Sequence, residues 1–149
     1  EGGFPAWDLT ITSVTPNASV DVAVPEQVAS ATVPPVQVVS TKLGDGVWHL
    51  TGGSHHSVVV EFNDHILIFE PAGQNEARAQ AIIAEAKRVI PGKPIRYGVI
   101  SHHHLDHTSG LAAAAAEGMT IVTPAVNKAY IERALSTPRT LASRTTRAS

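Results

Sequence analysis

Residues 95–110 read Ile95-Arg96-Tyr97-Gly98-Val99-Ile100-Ser101-His102-His103-His104-Leu105-Asp106-His107-Thr108-Ser109-Gly110. The run 95–100 is short and apolar, the pattern of a buried strand. Residues 110–117 contain five consecutive alanines and predict a helix that ends at Gly118. Between them lies His102-x-His104-x-Asp106-His107. In extended backbone the side chains at i and i+2 point the same way, so His102 and His104 can converge on one metal ion. Asp106 and His107 follow where the chain turns toward the next helix and can supply a second set of ligands beside the first. Imidazole nitrogen and carboxylate oxygen suit zinc, with iron and manganese also admitted. Ligand sites in α/β sheets lie beyond the carboxyl ends of strands, which is where this segment falls. A chance cluster or a weak surface chelator would account for one histidine pair. It accounts poorly for the four motif residues His102, His104, Asp106 and His107 within six positions, set between a buried strand and a small-residue helix.

Outward from this segment, the pattern keeps alternating between strand and helix. Residues 119–123 predict a further strand and 125–135 a further helix. On the N-terminal side, residues 46–50, 57–62 and 65–69 are runs rich in Val, Ile, Phe and Trp. The last two are separated by Asn63-Asp64, which predicts a hairpin. Residues 74–90 switch to helical periodicity: Ala79, Ile82, Ile83, Ala86 and Ile90 share a face, while Glu76, Arg78, Glu85, Lys87 and Arg88 lie outside it. Pro91-Gly92 stops that helix. This succession implies α/β layers rather than a bundle or a sandwich of strands alone.

The flanks are weaker. Residues 1–35 form an extended, loop-rich segment in which Leu9-Thr10-Ile11-Thr12 alternates like a strand and Pro16, Pro25, Pro34 and Pro35 interrupt longer elements. Residues 36–135 form the α/β domain. Residues 136–149 are a polar, basic tail in which Arg139, Arg144 and Arg147 meet no acidic residue.

Of the 149 residues, 43% are hydrophobic and 16% charged, enough apolar material for a real core. A net charge of −2 and a pI near 6.5 argue against a dedicated nucleic-acid binder. No apolar stretch is long enough to span a membrane. Cysteine is absent, which excludes disulfides, a thiolate nucleophile and Cys-ligated zinc. The chain starts at Glu1 without a basic segment leading into an apolar one, as expected if a signal peptide is absent, already removed or trimmed away. The expectation is a soluble protein, cytoplasmic or exported. All eight histidines lie at or before position 107.

Residues 101–107, with Thr108-Ser109-Gly110-Leu111 after them, resemble the HxHxDH motif of the metallo-β-lactamase superfamily of metal-dependent hydrolases. Asp45-Gly46-Val47-Trp48, Leu50-Thr51-Gly52-Gly53 and the following hairpin resemble that superfamily's opening strands. Residues 66–71 resemble a strand that often ends in an Asp-containing turn, with Glu70 standing in that turn here. The likeness is to bacterial members named only for their fold, rather than to antibiotic-degrading enzymes. It implies a half sandwich, a mixed β-sheet with helices on one face, covering roughly the N-terminal half of the family's four-layer αββα fold. It further implies that His102 and His104 bind a first metal and Asp106 and His107 a second. Asp106 is the implied catalytic residue, orienting a metal-activated hydroxide and accepting its proton. Metal coordination lowers the pKa of water from about 15.7 toward about 7.

The chain departs from the pattern after His107, where it has no histidine and no aspartate. Only Glu117 and Glu132 remain as carboxylates, and both fall in predicted helices. No histidine stands near Thr123-Pro124. Three completions follow. His55 or His56, after the Gly52-Gly53 turn, can serve as a ligand or hydrogen-bond a ligand. Water can fill the shell of a single ion. Or two copies can associate: a half sandwich exposes an apolar sheet face, which a symmetric homodimer would bury while restoring the αββα architecture.

Before Pro71, Glu70 can orient a ligand, accept a backbone amide or simply face solvent. His103, opposite in direction to its neighbours, reads as outward-facing or supporting. His49 and His65, in or beside strands, read as structural, and Trp48 as core. The expected function is a zinc-dependent hydrolase of small-molecule phosphate esters, lactones or carboxyl esters, acting on neither nucleic acid nor membrane. The competing expectation is a catalytically silent metal-binding fragment or interaction module.

Overall fold

The computed structural model describes residues 9–32 and 34–138. The chain divides into two units, Glu1–Pro34 and Pro35–Ser149. In the first, a single helical turn, α1 (Glu26–Ala29), starts behind Pro25. Leu9-Thr10-Ile11-Thr12 is not a strand, in contrast to its alternation. Leu9 is 84% and Ile11 73% exposed, so among the described residues neither an apolar surface nor a ladder partner rewards extended pairing there. Arg139, Arg144 and Arg147 lie outside the described residues.

The second unit is built on a six-stranded sheet in sequential order: β1 (Val39–Gly44), β2 (Val47–Thr51), β3 (Ser57–Glu61), β4 (Ile66–Phe69), β5 (Ile95–Val99) and β6 (Thr120–Val122). The first three pairings are antiparallel hairpins. Those of β4 with β5 and β5 with β6 are parallel, because helices cross between them. The sheet is therefore mixed. Strand β1 has no strong apolar pattern of its own, and it forms because the Asp45-Gly46 turn, with Gly46 at φ +72°, folds it back on β2. The hairpin around Asn63-Asp64 closes with the Phe62 amide donating to the His65 carbonyl at 2.8 Å.

Helix α2 (Glu76–Val89) connects β4 to β5. The Asn75 side chain accepts from the Arg78 amide and so caps its first turn. Its Ala79, Ile82, Ile83 and Ala86 pack on Leu50, Val59, Ile66, Ile68 and Ile95 of the sheet. Between β5 and β6 run two short helices, α3 (Leu105–Thr108) and α4 (Leu111–Ala116). Ala113 and Ala114 of α4 join the same core. A 3-10 turn (Ala125–Asn127) leads into α5 (Lys128–Ser136), whose Ile131 closes a second cluster with Ala72, Ile100 and Leu111.

Arg78 corrects the helical wheel, which placed it on the polar side: it is 2% exposed. Its guanidinium donates to the carbonyls of Gln37 and Thr51, so a buried charge is spent on closing the edge of the β1–β2 hairpin. Burial lowers its pKa.

Both core clusters lie on the helix side of the sheet. The alternate residues Val58, Val60, Leu67, Phe69, Tyr97, Val99 and Val122 belong to neither cluster. Register sets them side by side: Val58 opposite Phe69, Val60 opposite Leu67, Leu67 opposite Tyr97, Phe69 opposite Val99, and Val99 opposite Val122. Phe69, Tyr97 and Val122 are exposed.

Candidate metal centre

The site forms beyond the carboxyl ends of β4 and β5. The Ile100 amide donates to the Val122 carbonyl, and from Ser101 to His104 the chain runs without regular structure. His102 and His104, two residues apart, bring their rings to 4.6 Å between centroids. His104 is the residue before α3, and its carbonyl accepts from the His107 amide at 2.9 Å and from Thr108 Oγ1 at 3.0 Å. Asp106 and His107 thus sit in the single turn of α3, and the His107 ring stands 4.0 Å from that of His102.

The loop after β4 closes the other side. The Gln74 amide donates to the Asp106 carbonyl at 2.7 Å and the Gly110 amide to that of Ala72 at 3.0 Å. Gly110 is required for this approach, since a Cβ there would overlap the Ala79 methyl and crowd the Ala72 backbone. The motif's terminal glycine therefore seats the start of α4 against α2.

Glu70 has φ +55°, an uncommon backbone state for a residue with a side chain. Strand β4 ends here, and the carboxylate lies in the site. Its Oε1 accepts the Ser101 amide at 2.9 Å, and its Oε2 pairs with His107 Nδ1 at 3.0 Å. Burial alone would raise the Glu70 pKa, but the bonds from Ser101 and His107 outweigh it and hold the group below the usual glutamate range. A carboxylate at this place accepts from His107 Nδ1–H and leaves Nε2 as the nitrogen that faces the site.

His55 reaches the same place from the loop between β2 and β3. Its Nε2 lies 3.0 Å from Asp106 Oδ2, and its ring 5.0 Å from that of His107. Partial desolvation raises the Asp106 pKa, but the His55 hydrogen bond and the charges of His107 and His55 outweigh it, leaving the group lowered. His56 goes elsewhere: its Nδ1 is 3.2 Å from His49 Nε2. The chain directions at the Gly52-Gly53 turn send one imidazole of the pair inward and the other away.

Two donor groups result, His102/His104/Asp106 and His55/Asp106/His107, each with ligand atoms within 4.8 Å of one another. They share Asp106. This donor set fits a divalent ion of zinc type: imidazole nitrogens, one carboxylate, and outer ring nitrogens met by Ser101 Oγ on His102 and Glu70 on His107. His103 points outward, with Nδ1 3.1 Å from Asn127 Oδ1 and its ring 5.4 Å from Tyr130. His65 pairs with Asp64 and stacks on Phe62. Trp48 packs against the core.

Ser54 and Gln74 carry no sequence signal of their own, yet both belong to the site. Gln74 Nε2 donates to Ser54 Oγ at 2.8 Å, and Ser54 Oγ is 2.9 Å from His55 Nδ1. Their flanking glycines, Gly53 and Gly73, were the available hint: a Cβ at Gly53 would collide with the Gln74 side chain, and one at Gly73 would press on His55 at 3.3 Å.

The metallo-beta-lactamase superfamily profile matches residues 50–133. The chain belongs to that superfamily. Among solved structures, the metallo-beta-lactamase of Hirschia baltica is 29% identical, with a TM-score of 0.55 over 65% of this chain and 48% of that one. The FIM-1 metallo-beta-lactamase of Pseudomonas aeruginosa, in its mono-zinc form, is 25% identical, with a TM-score of 0.55 over 67% of this chain and 48% of that one. The enzyme of Erythrobacter litoralis, at 24% identity and a TM-score of 0.53 over 65% of this chain and 46% of that one, shares the fold. This superfamily chain thus spans about half the length of its solved relatives. No curated protein matches it. Among the described residues, no helix is long and apolar enough to cross a membrane.

Proposed function

We propose that this chain is a zinc-dependent hydrolase of ester-type bonds, acting on a small-molecule phosphate ester, lactone or carboxyl ester. The observation that carries the reading is the pair of donor groups converging on Asp106 at the carboxyl end of β5. His102, His104, Asp106 and His107 would hold the ion or ions. The mono-zinc form of the 25% identical relative supports zinc over iron or manganese. Bound zinc supplies a coordinated water with a pKa near 7 and polarises the oxygen under attack. The chain's own residues do the rest. Glu70 fixes the His107 tautomer, and Ser101 holds the His102 ring. The Asp106 carboxylate, with 54% of its side chain exposed, is open to substrate and can accept a proton.

The test is metal content, followed by hydrolysis of chromogenic phosphate, ester, lactone and β-lactam substrates by the parent and by His104→Ala. Zinc-dependent turnover that disappears in His104→Ala is the expected result. Activity that persists in the metal-free variant refutes the reading.

A second reading, a catalytically silent metal-binding fragment or interaction module, draws on the uncovered apolar face and on the half-length match. Saturating zinc binding without turnover of any substrate would favour it. On either reading we propose that a second copy of the chain covers the face bearing Leu67, Phe69 and Val99, as a homodimer. Sedimentation of a monomer at working concentrations would exclude the dimer.

A further inference from the structure

We infer that His55 is itself a metal ligand, supplying from the N-terminal side the third donor that Asp106 and His107 lack after residue 107. The inference rests on the reading that this cluster holds a divalent ion. His55 Nε2 lies 3.0 Å and His107 Nε2 3.7 Å from the same Asp106 oxygen. Ligand bonds of about 2.1 Å at tetrahedral angles separate two donors on one zinc by about 3.4 Å, so the observed spacings bracket the value for a shared ion.

The outer nitrogens agree. A zinc-binding imidazole needs its other nitrogen protonated and held by an acceptor. Glu70 does this for His107, and Ser54 Oγ stands in the equivalent place on His55 at 2.9 Å. Gln74 donates to Ser54, and the serine oxygen has lone pairs for both the amide and His55 Nδ1–H. An imidazole held through Nδ1–H on Ser54 would turn its Nε2 lone pair toward the space it shares with the Asp106 carboxylate. Two acceptors 3.0 Å apart repel unless a proton or a cation lies between them. A cation satisfies both at once and leaves the Gln74–Ser54 chain intact. His55 and His107 retain 27% and 20% side-chain exposure, so the position is open to an entering ion.

The experiment is zinc titration of the metal-free full chain at neutral pH by calorimetry and chelator competition, with far-UV circular dichroism to verify folding. The variants are His55→Ala, His55→Gln and Ser54→Ala. Loss of an outer-shell partner costs roughly 10–100-fold in metal affinity. Ser54→Ala is expected in that range, and both His55 variants weaken binding at one site by more than about 100-fold. Glutamine retains a donor for Asp106 but no imidazole nitrogen, so wild-type affinity in His55→Gln would overturn the inference and leave His55 as a positioning residue for Asp106. An affinity unchanged in His55→Ala overturns it while the remaining metal reading stands. A parent chain that binds no zinc overturns both.

Discussion

Glu70 is the residue on which the site's geometry turns, and its replacement separates three effects. Its carboxylate accepts the Ser101 amide at 2.9 Å and pairs with His107 Nδ1 at 3.0 Å, with the side chain 21% exposed. Hydrogen bonds to a charged group contribute about 1.5–3 kcal/mol each, and partial exposure brings these two toward the lower end. Glu70→Ala in the metal-free protein is therefore expected to cost about 2–4 kcal/mol. The backbone at φ +55° opposes this, because a left-handed conformation costs a residue with a Cβ about 1 kcal/mol that glycine does not incur. Glu70→Gly is thus expected to be about 1 kcal/mol less destabilised than Glu70→Ala, although both lack the carboxylate. Glu70→Gln probes the tautomer. Its oxygen can still accept the Ser101 amide, but its NH2 then faces His107 Nδ1, which must become the acceptor and move its proton to Nε2. Stability should fall less than in Glu70→Ala, while zinc affinity falls by roughly 10–100-fold. Urea denaturation followed by circular dichroism, and zinc titration, measure the two quantities. A glycine variant no more stable than the alanine one would refute the strain argument. Unaltered zinc affinity in Glu70→Gln would refute the assignment of the His107 proton.

Three further outcomes follow from the packing. Gly110→Ala should lose about 1–3 kcal/mol in chemical denaturation, with Ala79→Gly in the same chain restoring only part, since the Ala72 backbone still crowds the new methyl. Arg78→Lys should lose about 1–3 kcal/mol, because one ammonium cannot reproduce a fork that meets the Gln37 and Thr51 carbonyls together; a midpoint equal to wild type would contradict that role. Leu67→Asp places a charge in the middle of the uncovered sheet face and should shift sedimentation from dimer to monomer without altering the circular dichroism spectrum.

Much of this was legible in the sequence where one physical cause dominated. The run 95–100 is a strand because only a central, doubly paired position accommodates so apolar a segment, and the His102/His104 spacing follows from extended backbone. Helix α2 declared itself through a stripe that the sheet had to cover. What was not legible depended on distant partners. Arg78 looks like any surface arginine until two carbonyls of the β1–β2 hairpin meet it. Leu9–Thr12 has a strand's alternation but no pairing neighbour among the described residues. His55 and His56 are indistinguishable in sequence; a tight glycine turn sends one to Asp106 and the other to His49. The side chains of Ser54 and Gln74 meet across twenty residues of sequence, a contact that no local pattern announces.

The positions of these donors separate the metal centre from the open face of the sheet. Every group in the two donor sets comes from residues 55–107, and the elements that hold them, the loop after β4 and the turn α3, are fastened by Glu70, Gln74 and Gly110 to the helix side of the sheet. Phe69 is exposed on the open face, while Glu70, its neighbour, meets Ser101 and His107 among the donor groups. An occupant of the open face can therefore add substrate contacts or further ligands, but it is not needed to assemble the donors already in place. If His55 closes the second donor set, a chain of half the relatives' length carries its own metal-binding chemistry, and what the other layer of a sandwich would contribute is specificity and shelter from water rather than the first capture of the ion.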